Sequence, residues 1–178
     1  MFQLAAITAP FYPRLAELGE FEEVAPAEMP EDYQTLLAHD DHMTVTVEAF
    51  HGSLVDVRVL AEHREGEIYT RASLLMRQSD GQVVQLGIMR IDMHGLSSVV
   101  RAEIEAKGMP LGRILIRHNV LRHVKLDRLW RIWPGVELRE RLGIQSGAGG
   151  ERECIYGRSA GIVVEGRPAV ELLEMVKA

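Results

Sequence analysis

Apolar and polar residues alternate with a period of two along much of the first half of the chain. The alternation covers residues 43–49, 55–59, 68–76 and 83–93, and turn-forming residues separate these segments. Alternation of this kind is typical of β-strands with one face exposed to solvent. The Asp80-Gly81 pair between the last two segments is a strong hairpin signal. The pattern therefore predicts four consecutive strands joined in an antiparallel meander.

Short helices are predicted before and after this meander. Residues 31–37 begin with two acidic side chains, which suits the first turn of a helix. Residues 97–108 begin with two serines that can cap a helix and end on a glycine. Residues 110–116 open with a proline and continue with aliphatic residues, which favours one more helix. Residues 1–30 hold four of the seven prolines, so we expect no long regular element there.

Three further strands are predicted in the C-terminal part, at residues 120–133, 154–164 and 169–176. The glycine-rich residues 147–150 indicate a flexible loop, and they lack the Lys-Ser/Thr pair of a phosphate-binding loop. Together these elements predict an α+β fold that forms a single domain over residues 1–178. We expect a mostly antiparallel sheet of about six strands with helices packed on one face.

The composition restricts the classes of partner. The chain has 178 residues, 47% of them hydrophobic, and a net charge of −6. This charge argues against nucleic acids or acidic membranes as partners, since both require a basic surface. A small anionic substrate stays compatible, because one buried arginine can bind a carboxylate.

The expected location follows from the cysteine count and from the hydropathy. Cys154 is the single cysteine, which excludes an intramolecular disulfide and suits a reducing compartment. No apolar segment approaches the ~20 residues that a membrane span needs. We therefore expect a cytoplasmic protein, either a monomer or a dimer, without a membrane partner.

Charged residues within apolar strand patterns are the candidates for binding or catalysis. Arg71 lies in a mostly apolar strand, where an unpaired guanidinium is costly and a substrate carboxylate is a natural partner. Glu174 shares a strand face with Val170 and Leu172, where a desolvated carboxylate suits proton transfer. The simpler alternatives are an arginine at a sheet edge and a glutamate in solvent. Glu171 lies on the opposite face of the same strand.

No metal or cofactor is predicted. The three histidines His42, His118 and His123 lack the spacing of a metal-binding motif. No serine or cysteine occurs in the strand-turn-helix context of an activated nucleophile. Any chemistry would therefore depend on Arg71 and the C-terminal glutamates.

Several short motifs occur in an order that resembles the chorismate pyruvate-lyase family, the enzymes that make 4-hydroxybenzoate. The resemblance covers residues 36–176 and rests on Asp41-x-Met43-Thr44, Arg71 before Leu74-Leu75, the Asp80-Gly81 turn, Pro110-Leu111-Gly112-Arg113, and Gly166-x-Pro168 ahead of Glu174. The family fold is a six-stranded antiparallel sheet with helices, which agrees with the fold predicted from the residue pattern.

The resemblance implies a role for each matching residue. Arg71 would bind the carboxylate of the ligand. Met43 and Thr44 would help to close the pocket, Met43 through its backbone. Leu111 would lie over the ring, and Gly112 beside it would belong to the same substrate-binding segment.

The glutamate that meets the ring hydroxyl in this family is harder to match. The role falls to Glu174 if one residue is inserted after Pro168, as a β-bulge there would provide, and it otherwise shifts toward Glu171. Arg90 is the candidate for the substrate-binding arginine that follows the Asp-Gly hairpin in the family. We predict that Arg71 and Glu174 point into one cavity, beneath the leucine of the Pro-Leu-Gly-Arg segment.

The function implied by the resemblance is that of a chorismate lyase, which converts chorismate to 4-hydroxybenzoate and pyruvate without a cofactor. This elimination requires the protein to fix the carboxylates, exclude water and assist one proton transfer. Two alternatives use the same residues. One is a non-catalytic module that binds an aromatic or sugar acid, and the other is an enzyme acting on another enolpyruvyl compound.

Overall fold

The computed structural model describes residues 4–120, 122–144 and 153–178, and the predicted loop at 147–150 lies outside these ranges. The helices are α1 (Leu4–Thr8), α2 (Glu31–Leu37), α3 (Met43–His51), α4 (Ser98–Ala106), α5 (Leu111–Arg117) and α6 (Val136–Leu142). The strands are β1 (Gly19–Val24), β2 (Val55–Glu65), β3 (Ile68–Arg77), β4 (Val83–Asp92), β5 (Arg122–Pro134), β6 (Ile155–Val164) and β7 (Arg167–Val176). Within the described ranges, no helix is long and apolar enough to cross a membrane.

All of these strands form one seven-stranded antiparallel sheet in the order β1-β5-β6-β7-β4-β3-β2. The predicted α+β fold with an antiparallel sheet is therefore confirmed. Strand β1 was not predicted, because it lies in the proline-rich N-terminal part. Its prolines flank the strand, and it forms a short edge that pairs only with β5.

The largest difference from the prediction concerns residues 43–49, which lie in helix α3 instead of a strand. Their valines and threonines favour strands, but this preference is weak compared with tertiary packing. Met43, Thr44 and Val47 are buried and share one side of the helix, whereas Val45 is exposed. Gly52 ends the helix with a φ of 59°, in the left-handed region that favours glycine. The meander therefore has three strands, β2, β3 and β4.

Helices cover both faces of the sheet, whereas the prediction placed them on one face. Helices α2 to α5 pack on one face, called the site face below, and α1 and α6 pack on the other. On β3 and β7, Tyr69 and Leu172 belong to the core of the site face, and Ala72 and Leu173 belong to the opposite core. Because β6 and β7 are covered on both faces of the sheet, most of their residues are buried and their sequences are nearly continuously apolar.

The bulge that was predicted near Pro168 is present. Strand β7 pairs with β6 so that Ile162 faces Val170 and Val163 faces Pro168, which leaves Ala169 as the extra residue. A bulge of this kind shifts the alternation of a strand by one position. Beyond the bulge, Glu174 lies on the site face with the apolar residues of that core.

Candidate functional site

A cavity of about 60 Å³ lies on the site face, between the sheet and the beginnings of helices α3 and α5. Strands β3, β4, β7 and β6 form its floor. Ser73, Gly87, Glu174 and Arg158 are successive cross-strand neighbours on these four strands, and all four residues line the cavity. Because one water molecule needs roughly 10–15 Å³ measured in this way, the cavity suits a small molecule.

Arg71 on β3 lines the cavity and is only 2% exposed. Its Nε atom has no hydrogen-bond partner, its Nη1 atom contacts the carbonyl oxygen of Ile104 at 3.4 Å, and the hydroxyl group of Tyr69 also interacts with the guanidinium. Among the described residues, no carboxylate lies within 4.0 Å of this guanidinium. Burial lowers the pKa of Arg71, but an arginine side chain stays charged at neutral pH. The cavity therefore contains a buried cation whose hydrogen bonds are incomplete.

Arg158 on β6 is fully buried and is surrounded by acceptors. Its Nε donates to Glu174 Oε2 at 2.7 Å, and its two Nη atoms donate to the carbonyl oxygens of His39 at 2.9 Å and Asp41 at 3.1 Å. These bonds connect the floor of the cavity to the segment between α2 and α3. Arg158 was not among the predicted site residues, although the alternation of β6 places it on the same face as Ala160.

Glu174 lines the same cavity as Arg71, and it is 6% exposed. Its carboxylate is held by Arg158, so it is part of a buried ion pair. A buried ion pair of this kind is stable only when further hydrogen bonds satisfy the remaining polar atoms, as the two carbonyl groups do here. The structure thus brings two predicted residues together and adds a third, Arg158.

The roof contains the four residues that the resemblance assigned to ligand binding. Met43 and Thr44 are buried in the first turn of α3, and Leu111 is 7% exposed at the start of α5. A Cβ atom on Gly112 would lie 3.2 Å from Thr44 Oγ1 and 3.4 Å from His42 Nδ1. The absence of a side chain at position 112 therefore lets α5 begin close against α3, and all four residues line the cavity.

His42 is a further lining residue that the sequence analysis did not assign to ligand binding. Arg122 Nε donates to His42 Nε2 at 2.6 Å, so this nitrogen acts as the acceptor and the ring proton lies on Nδ1. Burial, together with the charges of Arg122 and Arg158, lowers the pKa of His42 to about 4. The ring is therefore neutral at physiological pH and offers a donor on the side of the α5 start.

Two of the residues that were predicted to belong to the site, Arg90 and Glu171, do not line the cavity, which corrects their predicted places in the site. Arg90 and Glu171 are cross-strand neighbours on β4 and β7, and the bulge and alternation place them on the face opposite the cavity. They form an ion pair at 2.9 Å with side chains that are 40% and 36% exposed. Neither residue lines the cavity that contains Arg71.

The described ranges contain no group of three or more His, Cys, Asp or Glu side chains that could hold a metal ion. The histidines that were considered at the sequence level are separated. His42 bonds to Arg122, and His118 lies beside Glu103 at 3.0 Å. The chemistry available in the cavity is therefore that of guanidinium, carboxylate, amide, hydroxyl and imidazole groups.

No protein-family model matches the sequence, and no curated protein matches it. Among solved structures, the effector domain of PhnF from Mycobacterium smegmatis superposes with a TM-score of 0.55 and 12% identity, over 77% of this chain and 88% of that domain. The PhnF structure that is not limited to this domain gives the same TM-score and identity, over 79% of this chain and 65% of that chain. A GntR-family transcriptional regulator from Bacillus cereus matches with a TM-score of 0.44, at 9% identity over 68% of this chain and 90% of that chain. At these identities the similarity establishes the fold alone.

Proposed function

We propose that this chain is a binding module for a small carboxylic acid, with the carboxylate of the ligand paired to Arg71. The observation that carries this proposal is the incomplete hydrogen bonding of a buried guanidinium that lines a cavity. A buried charge without a partner lowers the stability of a protein, and an anionic ligand offsets that loss when it binds. The planar guanidinium matches a carboxylate through two parallel hydrogen bonds.

The walls of the cavity suit a ligand with an apolar body. Leu111 and Leu172 line it from the roof and from the floor, and Val124 and Ile162 line it from β5 and β6. Binding sites for small molecules commonly combine apolar walls with a few polar groups that fix the orientation. A ring or short chain carrying one carboxylate fits this combination.

The fold similarity supports a binding role. The structure with the TM-score of 0.55 is named the effector domain of PhnF. A shared fold does not determine a function, so this similarity adds to the argument from Arg71 without replacing it. We therefore prefer a binding function for this chain to a catalytic one.

A chorismate lyase is the second candidate. It is favoured by the presence of Arg71 and Glu174 in one apolar cavity, which is the arrangement that the family resemblance implies. An enzyme of this type acting on another enolpyruvyl compound would use the same groups. Binding without turnover is preferred because Glu174 Oε2 is already bonded to Arg158, which restricts its movement toward a substrate proton.

Calorimetry with 4-hydroxybenzoate and its amide, 4-hydroxybenzamide, tests the binding proposal. We expect the acid to bind and the amide, which lacks the charge, to bind at least tenfold more weakly. Equal affinities, or no binding of the acid, would contradict the proposal. Incubation with chorismate separates the two candidates, because release of pyruvate would support the lyase and binding without release would support the module.

A further inference from the structure

Gln85 is a second cavity residue with an unpaired polar atom. Four buried side-chain polar atoms lack a hydrogen-bond partner in the described part of the chain: Arg71 Nε, Gln85 Oε1, Glu103 Oε2 and His118 Nε2. The last two lie 3.0 Å apart from each other, next to α4 and α5. The first two both line the cavity. The cavity therefore presents one unpaired donor and one unpaired acceptor.

The position of Gln85 explains how its amide reaches the cavity. Gln85 lies on β4 between Val84 and Leu86, on the face that also carries Gly87 and Met89, and it is 5% exposed. Its Nε2 atom lies 3.2 Å from the place that a Cβ atom of Gly87 would occupy. The side chain thus lies along the strand over Gly87, in space that this glycine leaves open.

The amide and the guanidinium are close enough to bind one molecule. Arg71 pairs directly with Met89 across the two strands, and Gly87 is two residues from Met89. Diagonal neighbours of this kind in an antiparallel pair are about 7–8 Å apart between backbone positions. Because the amide of Gln85 lies over Gly87, it and Arg71 face the same small volume.

We propose that Gln85 is a specificity-determining residue, which binds a hydroxyl group of the acid whose carboxylate pairs with Arg71. This inference rests on the proposed function and specifies its ligand class as hydroxylated small carboxylic acids. A hydroxyl group donates to Oε1, and because it also accepts, it pairs with the amide in either orientation. An acid without the hydroxyl leaves the buried oxygen unpaired and binds less tightly.

A purely structural role for Gln85 predicts a different arrangement. Buried polar side chains that stabilise a fold are hydrogen-bonded to backbone or side-chain groups, as Arg158 is here. An unpaired amide oxygen instead lowers the stability of the ligand-free protein. Replacing Gln85 by Met keeps the volume similar and removes this unpaired group, so we expect the Tm of the ligand-free Gln85→Met variant to be equal or higher.

Matched acids that differ by one hydroxyl test the inference by calorimetry. We would compare benzoate, the three monohydroxybenzoates and the corresponding fluorobenzoates, in which fluorine has a similar size but cannot donate. For the wild-type protein, we expect at least one hydroxy acid to bind about 10- to 100-fold more tightly than its fluoro analogue. In Gln85→Met this preference should fall to about threefold or less, because methionine cannot accept the hydrogen bond from the hydroxyl group.

Two further variants provide the controls. Gln82→Met changes an exposed glutamine that directly precedes β4 and does not line the cavity, so it should leave every affinity unchanged. Gly87→Ala should displace the Gln85 amide by a few tenths of an ångström and reduce the hydroxyl preference without unfolding the protein. A hydroxyl preference that persists in Gln85→Met, or a lower Tm of that variant together with unchanged preferences, would overturn the inference. If the wild-type protein bound none of these acids, the result would instead contradict the proposed function itself.

Discussion

The floor of the cavity contains two buried arginines, Arg71 on β3 and Arg158 on β6, and their surroundings differ. Both are among the largest fully buried side chains of the described residues. Arg158 donates to a carboxylate and to two carbonyl groups, whereas Arg71 has only the Ile104 carbonyl at 3.4 Å and the neutral Tyr69 hydroxyl beside it and leaves its Nε unpaired. The same side chain is therefore satisfied by the protein at one position and unsatisfied at the other.

This difference distinguishes a structural arginine from a binding arginine. A buried charge that the protein itself satisfies holds strands and loops in place, and removing it leaves its partners unpaired. A buried charge that the protein leaves unsatisfied makes the ligand-free state less stable and favours an anionic ligand. Binding sites in proteins commonly lower the stability of the ligand-free protein in this way in exchange for affinity for the ligand.

Replacing Arg158 should have the largest effect on stability. In Arg158→Met, Glu174 is left buried without its partner, and the carbonyl groups of His39 and Asp41 lose their donors. We expect the free energy of unfolding in urea to fall by about 3–5 kcal/mol. The double variant Arg158→Met/Glu174→Met should recover part of this loss. Equal stability of the single variant and the wild-type protein would show that Arg158 is not structural.

Replacing Arg71 should change the free energy of unfolding in the opposite direction. Arg71→Met removes a buried charge that lacks a carboxylate partner, and the methionine fills similar space against Tyr69 and Met89. We expect the free energy of unfolding of the ligand-free protein to rise by about 1–3 kcal/mol. Urea denaturation measures this change. A loss of stability as large as that of Arg158→Met would remove the distinction between the two arginines.

The stability of the protein should depend on pH because His42 and His39 are buried beside positively charged arginines. The pKa of His42 is about 4 in the folded protein, lowered by burial and by Arg122 and Arg158, whereas Asp41 raises it. An unfolded histidine titrates near pH 6.5, so the unfolded state binds more protons between about pH 4 and 6.5. The free energy of unfolding should therefore rise with pH across this window and lose this dependence above it. Burial and Arg158 also lower the pKa of His39, which adds in the same direction.

A matched variant isolates the contribution of His42. His42→Gln keeps an acceptor for Arg122 but does not titrate, so its urea midpoint should rise less steeply from pH 4.5 to 6.5 than that of the wild-type protein. The two curves should run parallel above pH 7. Identical slopes over the whole range would mean that His42 is protonated in the folded state as readily as in the unfolded state.

The smallest effect is expected at the exposed pair on the opposite face. Glu171→Gln breaks the bond to Arg90, but both side chains contact solvent. Exposed ion pairs contribute about 0–1 kcal/mol, so thermal unfolding should change little and acid binding should be unaffected. A tenfold change in affinity for 4-hydroxybenzoate in Glu171→Gln would indicate that this face takes part in binding.

Strand alternation was sufficient to predict much of the cavity floor. A charged residue within an apolar strand pattern identified Arg71 and Glu174, and strand alternation placed Glu174 on the face of Val170 and Leu172, which is the site face. The same rule applied to β6 identifies Arg158, and extended to uncharged polar residues it also includes Gln85 on β4. Their hydrogen-bond partners were not predictable, because these come from other strands and from the segment before α3.

The roof could not be predicted in the same way. Residues 43–49 alternate like a strand but form α3, since packing of Met43 and Val47 against neighbouring elements decides their conformation. The contact between Gly112 and the start of α3 depends on how two short helices meet in space. Such contacts between elements distant in the chain leave no periodic signal in the sequence.

The most direct test of the central claim is the dissociation constant of 4-hydroxybenzoate for Arg71→Met and Arg90→Met, measured by calorimetry beside the wild-type protein. Both variants replace an arginine by methionine, one in the cavity and one on the opposite face. We predict that Kd rises about 30-fold or more in Arg71→Met, as expected for the loss of a buried charge-assisted pair, and changes by about twofold or less in Arg90→Met. A wild-type Kd in Arg71→Met, or equal losses in both variants, would contradict the assignment of Arg71 as the residue that binds the acid.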